Sequence, residues 1–96
     1  MKPYRNLKIA SLIQQELSQI LVKEFNFEGA LVTIIGVEVS GDLLQAKVEL
    51  GIIPLKKGPA IFAIIEKRSR ELQYKLLKKM RIRFVPRLRF KIGKIN

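Results

Sequence analysis

The residues of this sequence with the most evident capacity for chemistry are its cations, which are concentrated in the last third of the chain. Only Glu66 and Glu71 oppose the twelve cations of residues 66–96, which leaves a formal charge of +10, whereas the first 65 residues carry +1. Like charge confined to one segment costs compactness unless a polyanion neutralises it. The sequence therefore predicts a polyanionic partner. The twelve cations are Lys67, Arg68, Arg70, Lys75, Lys78, Lys79, Arg81, Arg83, Arg87, Arg89, Lys91 and Lys94.

Catalytic chemistry is poorly represented. The chain has no cysteine and no histidine, so it lacks thiolate metal ligands, the commonest general base and the commonest metal ligand. The serines have no histidine to activate them, and the glycines form no phosphate-cradling motif. The carboxylates of the first 65 residues form no close pair at a catalytic spacing. We therefore expect a protein that is not an enzyme and that carries no cofactor and no metal.

Length and hydropathy indicate one globular domain spanning residues 1–96. The apolar fraction of 48% is ordinary for a folded protein and too high for a disordered one. Gln14, Gln15 and Glu16 interrupt the first apolar stretch, so no signal peptide is expected. No apolar run approaches the length of a membrane span. We expect a cytoplasmic protein without disulfides.

The first half of the chain predicts a helix followed by a β-hairpin. Residues 3–25 have helical apolar spacing, with Pro3 suited to the first turn. Residues 31–39 are rich in β-branched side chains, and residues 43–53 alternate, with Leu44 on the same face as Ala46, Val48 and Leu50. A turn is expected between the two strands, and Gly36 predicts a bulge.

The second half predicts a longer helical region and a third strand. Helical spacing runs from Pro59 to about Met80, through apolar residues that include Ile64, but Arg68 and Ser69 interrupt the buried stripe. The region therefore either bends there or forms two helices. Val85-Pro86 ends it, and residues 87–92 alternate basic and apolar side chains. The predicted architecture is α+β, with a three-stranded sheet covered on one face by helices.

Placed on these elements, the cations form a basic helical face and a basic strand face. Lys67, Arg70, Tyr74 and Lys78 are spaced three and four apart and share one side of the second helical region. Tyr74 is the best candidate for stacking on a base, whereas we expect Phe84 and Phe90 in the core. Many cations with few stacking rings favour structured RNA over splayed single strands.

Three simpler interpretations compete with nucleic-acid binding. Cations at a helix C-terminus are favourable by themselves, by about 0.3–1 kcal/mol each, which accounts for only a few of the twelve. A solvated charged face normally mixes both signs, and this segment contains two acids. A basic amphipathic helix also suits a membrane surface, but the strand that follows needs the apolar side of this helix as cover. We expect nucleic acid, and charge alone does not separate RNA from DNA.

The hairpin and the second half resemble the ribosome-binding factor A family. Five segments carry the resemblance over nearly the whole chain, and they are residues 13–21, 32–34, 37–44, 46–48 and 76–90. The last contains Arg81-Ile82-Arg83, Val85-Pro86 and Leu88-Arg89-Phe90. The resemblance implies a type II KH-like fold of order α-β-β-α-α-β. It also implies a non-enzymatic assembly factor that binds small-subunit (16S-type) rRNA in the free 30S subunit, during late maturation and rRNA processing, and that is linked to growth in the cold.

At one point the chain departs from that family, which has an alanine and a glycine at a kink between its second and third helices. Arg68-Ser69-Arg70 stand at the corresponding positions. The G-x-x-G loop of ordinary KH domains is also absent, as the resemblance implies.

We expect the protein to be a monomer. We expect it to bind RNA through cations of the second helical region and the third strand, together with Tyr74. The alternative is a small basic ribosomal protein or a structural protein on nucleic acid. The candidate RNA-binding residues are Lys67, Arg68, Arg70, Tyr74, Lys75, Lys78, Lys79, Arg81, Arg83, Arg87 and Arg89, and Lys2, Arg5 and Lys8 extend them.

Overall fold

The computed structural model describes residues 4–83 and 85–93, which form three helices and one three-stranded sheet. The expectations for Lys2, Pro3, Phe84 and Lys94 lie outside these residues. A short 3₁₀ turn, Leu55–Lys57, precedes the second helix. In chain order the elements are α1 (Tyr4–Glu24), β1 (Leu31–Val39), β2 (Gln45–Ile53), α2 (Gly58–Lys67), α3 (Ser69–Met80) and β3 (Arg87–Ile92).

The strands lie in the order β1-β2-β3, with β1 and β2 antiparallel and β2 and β3 parallel. The register shifts between Ile34 and Gly36, which confirms the predicted bulge. One face of the sheet is buried by the helices, because Ala46 and Val48 on β2 align with Leu88 and Phe90 on β3 and all four are buried. The α+β prediction with one covered face is therefore confirmed.

The hairpin turn corrects the predicted start of the second strand. Strand β2 begins at Gln45 and not at residue 43, and Leu44 is 57% exposed instead of buried. The Asp42 carboxylate accepts hydrogen bonds from the Ser40 hydroxyl (2.6 Å) and the Leu44 N–H (3.0 Å). Leu43 then takes a left-handed φ of 66°. This local bonding lengthens the turn by two residues at the expense of the strand.

The core lies between the sheet and the apolar sides of α1 and α3. Ile13 and Leu17 of α1 and Leu72 and Leu76 of α3 are fully buried. These residues recur at helical spacing, so each helix presents one apolar stripe to the sheet and leaves its opposite side in solvent. Helix α1 ends at Glu24, one residue before the predicted end.

Arg68 separates the second helical region into two helices, which decides between the two interpretations left open by the sequence. Its φ of −103° and ψ of 16° lie outside the helical range, so α2 ends at Lys67 and α3 starts at Ser69. Within α2, Ile61 and Ile65 are buried, but Ile64, which the sequence places in the same apolar set, is 46% exposed. Within the described segments we find no helix with the length and hydrophobicity that a bilayer crossing requires.

Candidate nucleic-acid interface

The outer side of α3 carries a stripe of exposed residues that we call the outer stripe: Lys67, Arg70, Tyr74, Lys78 and Arg81. Steps of four residues place Arg70, Tyr74 and Lys78 in one row along α3, whereas Lys67 ends α2 before the break and Arg81 follows the last turn of α3. Tyr74 is 58% exposed, and the Lys78 ammonium lies 5.0 Å from the centre of its ring. No acid of the part of the chain that the structure describes forms an ion pair with these cations.

A second row of cations lies on the side of α3 that faces α1, and these cations form ion pairs with glutamates. Lys75 donates a hydrogen bond of 2.8 Å to Glu24 on α1, and its ammonium lies 3.8 Å from Glu71. The ammonium of Lys79 lies 3.9 Å from the Glu16 carboxylate. We call Arg68, Lys75 and Lys79 the inner row. Any phosphate that binds these three cations must compete with carboxylates of the same protein.

Arg68 is the most constrained member of the inner row. Its Nε and Nη2 donate to the two carboxylate oxygens of Glu71, at 2.9 and 2.5 Å, and its guanidinium carbon lies 4.0 Å from the centre of the Phe25 ring. Phe25 in turn stacks on Phe27, with 5.4 Å between ring centroids. The paired hydrogen bonds hold the pKa of Glu71 below its ordinary value and raise the pKa of Arg68.

At the break between α2 and α3, these contacts take the place of the alanine and glycine that the resemblance to ribosome-binding factor A implies. Arg68 donates its backbone N–H to both Ile64 and Ile65, at 3.2 and 3.1 Å, which closes the last turn of α2. Its side chain then bonds forward to α3 and stacks on the residue after α1. The break is therefore held by a charged side chain and needs no glycine.

A groove between α3 and the start of β3 lies between the helical cations and Arg87, the first cation of β3. Its volume is about 430 Å³, and Arg70 and Arg87 both line it. Gln73 holds the two elements together, because its Nε2 donates to the carbonyls of Val85 (2.9 Å) and Pro86 (2.7 Å) while its Oε1 accepts from the Leu88 N–H (3.1 Å). Two arginines among its lining residues give this groove the positive charge that a phosphate requires.

The remaining strand cation of the candidate set lies on a different surface. Arg89 is exposed and pairs in register with Lys47, on the face of the sheet that the helices leave uncovered. The eleven candidates therefore do not form one continuous patch. Arg81 and Arg83 follow the C-terminus of α3, where Arg81 takes a left-handed φ of 54° and ends the helix.

Three residues that belong to these surfaces are not among the candidates predicted from the sequence. Lys47 and Lys91 stand on the uncovered face of the sheet, and the alternation of charged and apolar residues in both strands was the signal that places them there. Gln73 gives no such signal, because its role depends on where β3 packs. Among residues 4–83 and 85–93, no cluster of three or more carboxylates that could hold a metal ion occurs.

Comparison with known proteins places this architecture in a family. The family model described as Ribosome-binding factor A matches residues 5–95. Ribosome-binding factor A of Chloroherpeton thalassium is 38% identical over 89 residues, covering 90% of this chain and 71% of that protein. The Coprothermobacter proteolyticus protein of the same name is 33% identical over 93 residues, covering 96% and 68%.

A crystal structure and a fitted homology model of one relative show the same fold. The crystal structure of ribosome-binding factor A from Thermus thermophilus superposes with a TM-score of 0.75 at 22% identity, covering 93% of this chain and 97% of that one. A homology model of the Thermus thermophilus factor, fitted into a cryo-electron microscopy map of a 30S complex, gives 0.70 at 20% identity, covering 95% and 93%. These likenesses confirm the expected KH-like fold.

Proposed function

The chain belongs to the ribosome-binding factor A family, and from that premise we propose that it is an assembly factor that binds the rRNA of the free small ribosomal subunit during late maturation. The observation that carries the proposal is the outer stripe, whose cations have no acidic partner in the described residues and lie beside the groove that Arg70 and Arg87 line. The Thermus thermophilus relative has been fitted into a map of a 30S complex, which supports the same class of partner here.

The cations of the proposed interface differ in how readily they reach a phosphate. Lys67, Arg70 and Lys78 stand in solvent along the outer stripe, and phosphate contacts from such side chains fix position without reading sequence. The inner row contributes less, since each of its members already has a carboxylate nearby. The full proposed set remains Lys67, Arg68, Arg70, Tyr74, Lys75, Lys78, Lys79, Arg81, Arg83, Arg87 and Arg89.

Tyr74 supplies the one exposed aromatic ring of the outer stripe. The Lys78 ammonium above it brings a positive charge to the ring, so a nucleotide that packs on Tyr74 meets Lys78 with its phosphate. Stacking on an aromatic ring is tolerant of sequence, which suits a factor that recognises shape and backbone. Arg5 and Lys8 are exposed on the first turns of α1, and we propose that they extend the basic surface.

The proposed mechanism is binding alone, without a chemical step. A protein that contacts one conformation of rRNA more favourably than another shifts the population towards that conformation by its difference in affinity. The interface offers hydrogen-bond donors and positive charge, and these are the groups that such a shift requires. We propose that the chain acts as a monomeric, non-enzymatic single domain in the cytoplasm.

Sedimentation of a cell extract through a sucrose gradient tests this proposal. An assembly factor is expected substoichiometrically in the fraction of free small subunits and not with translating ribosomes. A small basic ribosomal protein would instead appear at one copy per subunit in all ribosomal fractions, and a chromosomal protein would remain with DNA after nuclease treatment of the RNA. Either of these distributions would contradict the proposal.

A further inference from the structure

The uncovered face of the sheet carries a second group of cations, on the side opposite to the helices. Lys47 of β2 stands beside Arg89 of β3, and Lys91 is the next residue of β3 on that face. Side chains alternate between the faces of a strand, and the intervening Val48, Leu88 and Phe90 are buried under the helices. All three cations are exposed, and within the described ranges none of them forms an ion pair.

The pairing of Lys47 with Arg89 is unfavourable in the free protein. Like charges on neighbouring strands repel each other when they stand directly opposite. Glu38 lies on the other side of Lys47, in register on β1, and offsets one of the two charges. One positive charge is left over, and an anion bound between the two cations would remove the repulsion.

The same residues line a cavity that has room for such an anion. Its volume is about 360 Å³, and Lys47 and Arg89 line it together with Glu38, Ser40 and Gln45. The hydroxyl and amide groups add hydrogen-bonding capacity beside the cations. A neighbouring cavity of about 300 Å³ shares Lys47 and is lined by Lys91.

The other acid of this face, Glu49, is directed towards the end of the sheet. A Cβ atom at Gly93 would overlap its Cγ and carboxylate, so the side chain of Glu49 lies against that glycine. This placement keeps the second carboxylate near Lys91, its partner in register on β3, and both residues line the neighbouring cavity together with Lys47. Arg89 and Lys91 are two residues apart on a strand, about 6.6 Å along its axis, so they are able to contact successive phosphates of one chain.

We propose that this face binds the sugar–phosphate backbone of a second RNA segment, so that the protein bridges two segments of RNA. The inference rests on the proposed function, which places the first segment on the outer stripe of α3. The sheet lies between the two surfaces, because α3 packs on its covered face. A rigid duplex on one surface therefore does not contact the other, and two segments are required.

The composition of the face favours RNA over a protein partner. Protein interfaces are enriched in aromatic residues and depleted in lysine, whereas both cavities here are lined by Lys47 and neither is lined by an aromatic residue. Holding two segments on one small protein raises the effective concentration of each for the other. Bridging would therefore bring together parts of the rRNA that are distant in its sequence.

The test uses two non-complementary RNA hairpins, one carrying a donor fluorophore and the other an acceptor, at protein concentrations where the protein sediments as a monomer. Bridging by the wild type predicts energy transfer that rises with protein concentration and falls again once each hairpin has its own protein. The salt dependence of the bridging step should have a slope of roughly −2, for two to three phosphates.

Variants assign the second contact to the sheet face. Lys47→Glu/Lys91→Glu, at two cations of this face outside the first RNA-binding set, is expected to abolish energy transfer while still binding one hairpin. The milder Lys47→Gln/Lys91→Gln is expected to weaken bridging at least several-fold without disturbing the fold. The matched control is Lys23→Glu/Lys56→Glu, which changes the net charge as much as the first variant at two exposed sites elsewhere. The control should bridge like the wild type.

The outcomes separate this inference from the proposed function. A wild type that binds one hairpin and never bridges would overturn the second site and leave the proposed function standing. A wild type that binds no hairpin would overturn both. Bridging that survives in both Lys47/Lys91 variants would overturn the assignment to this face. In the remaining outcome, an RNA-free protein of the small subunit binds the wild type and not these variants. That result would show that the face is a protein-binding site and would also overturn the proposal.

Discussion

Arg68 stacks on Phe25, with the guanidinium carbon 4.0 Å from the centre of the ring. The contact joins the break between α2 and α3 to the chain that leaves α1, and Glu71 fixes the guanidinium from the other side. One residue therefore ties together three parts of the fold. Arg70, only two positions further, points instead into the groove beside β3.

The first prediction is that substitution of Arg68 mainly affects stability, whereas substitution of Arg70 mainly affects RNA binding. Arg68→Ala should lower the melting temperature, because it removes the hydrogen bonds to Glu71 and the contact with Phe25. Arg70→Ala should leave the melting temperature nearly unchanged and reduce the slope of log affinity against log salt by about 1, as expected for one lost phosphate contact. Thermal unfolding and RNA titrations at several salt concentrations measure the two effects.

Each arginine variant serves as the control for the other, since the two substitutions remove the same side chain. An Arg68→Ala protein that melts like the wild type but loses a phosphate contact would show that Arg68 leaves Glu71 to bind RNA. That result would move Arg68 from the inner row to the primary RNA contacts.

The Arg68–Glu71 pair also predicts a dependence of stability on pH. Because Arg68 lowers the pKa of Glu71 in the folded protein, the pair stabilises the fold above the ordinary glutamate pKa of about 4.3. This contribution is lost as the pH falls through the lower, folded-state pKa. At neutral pH the wild type should therefore have a higher melting temperature than Glu71→Gln. The difference in melting temperature should shrink below about pH 4 and at high salt.

A pH series of melting curves measures this difference. Glu66→Gln is the matched control, since Glu66 is an exposed glutamate near the same break and forms no ion pair among the described residues. A constant difference between the wild type and Glu71→Gln from neutral to acid pH would show that charge on Glu71 is not what stabilises the break.

Gln73 connects α3 to β3 and predicts a loss of stability. Gln73→Ala removes three hydrogen bonds to the backbone between Val85 and Leu88 and should cost about 1–3 kcal/mol in the free energy of unfolding. Denaturant unfolding measures the cost. Gln15→Ala, at an exposed position of α1, makes the same chemical change and should be close to neutral. Equal stabilities of the two variants would exclude the bridging role of Gln73.

The exposed ring of Tyr74 leads to a prediction about RNA affinity: affinity should fall when the ring is removed and not when only the hydroxyl is removed. Tyr74→Ala should weaken RNA binding by about 1–3 kcal/mol if a base stacks on the ring, whereas Tyr74→Phe keeps the ring and should bind like the wild type. Because Tyr74 is exposed, neither change should alter the melting temperature by more than a few degrees. Wild-type affinity in Tyr74→Ala would exclude a stacking contact.

Most of the fold was predictable because apolar periodicity records which side of each element is buried. Ile13 and Leu17 of α1, and Leu72 and Leu76 of α3, lie in the core where their spacing places them. The errors occur where local hydrogen bonds compete with the pattern. Asp42 bonds the Leu44 N–H and removes that residue from β2, and Arg68 leaves the helical conformation and divides the predicted helical region in two.

The candidate site was predictable as a set of residues but not as surfaces. Helical spacing is a local property, so it identified the outer stripe of Arg70, Tyr74 and Lys78. The separation of the inner row depends on Glu16 and Glu24 of α1, which are distant in sequence and meet α3 only through packing. Strand alternation places Arg89 on the uncovered face, but the sequence does not show that Arg87, two residues earlier, lines a groove with Arg70 of α3.

The binding of the protein to purified free small subunits at increasing salt tests the central claim most directly. If six phosphates are neutralised, log affinity should fall against log salt with a slope of roughly −4 to −5. Arg70→Glu/Lys78→Glu should bind more weakly, with a slope shallower by about 2, and should melt like the wild type. A wild-type slope near zero, or a variant that binds as tightly as the wild type, would contradict RNA binding through the outer stripe of α3.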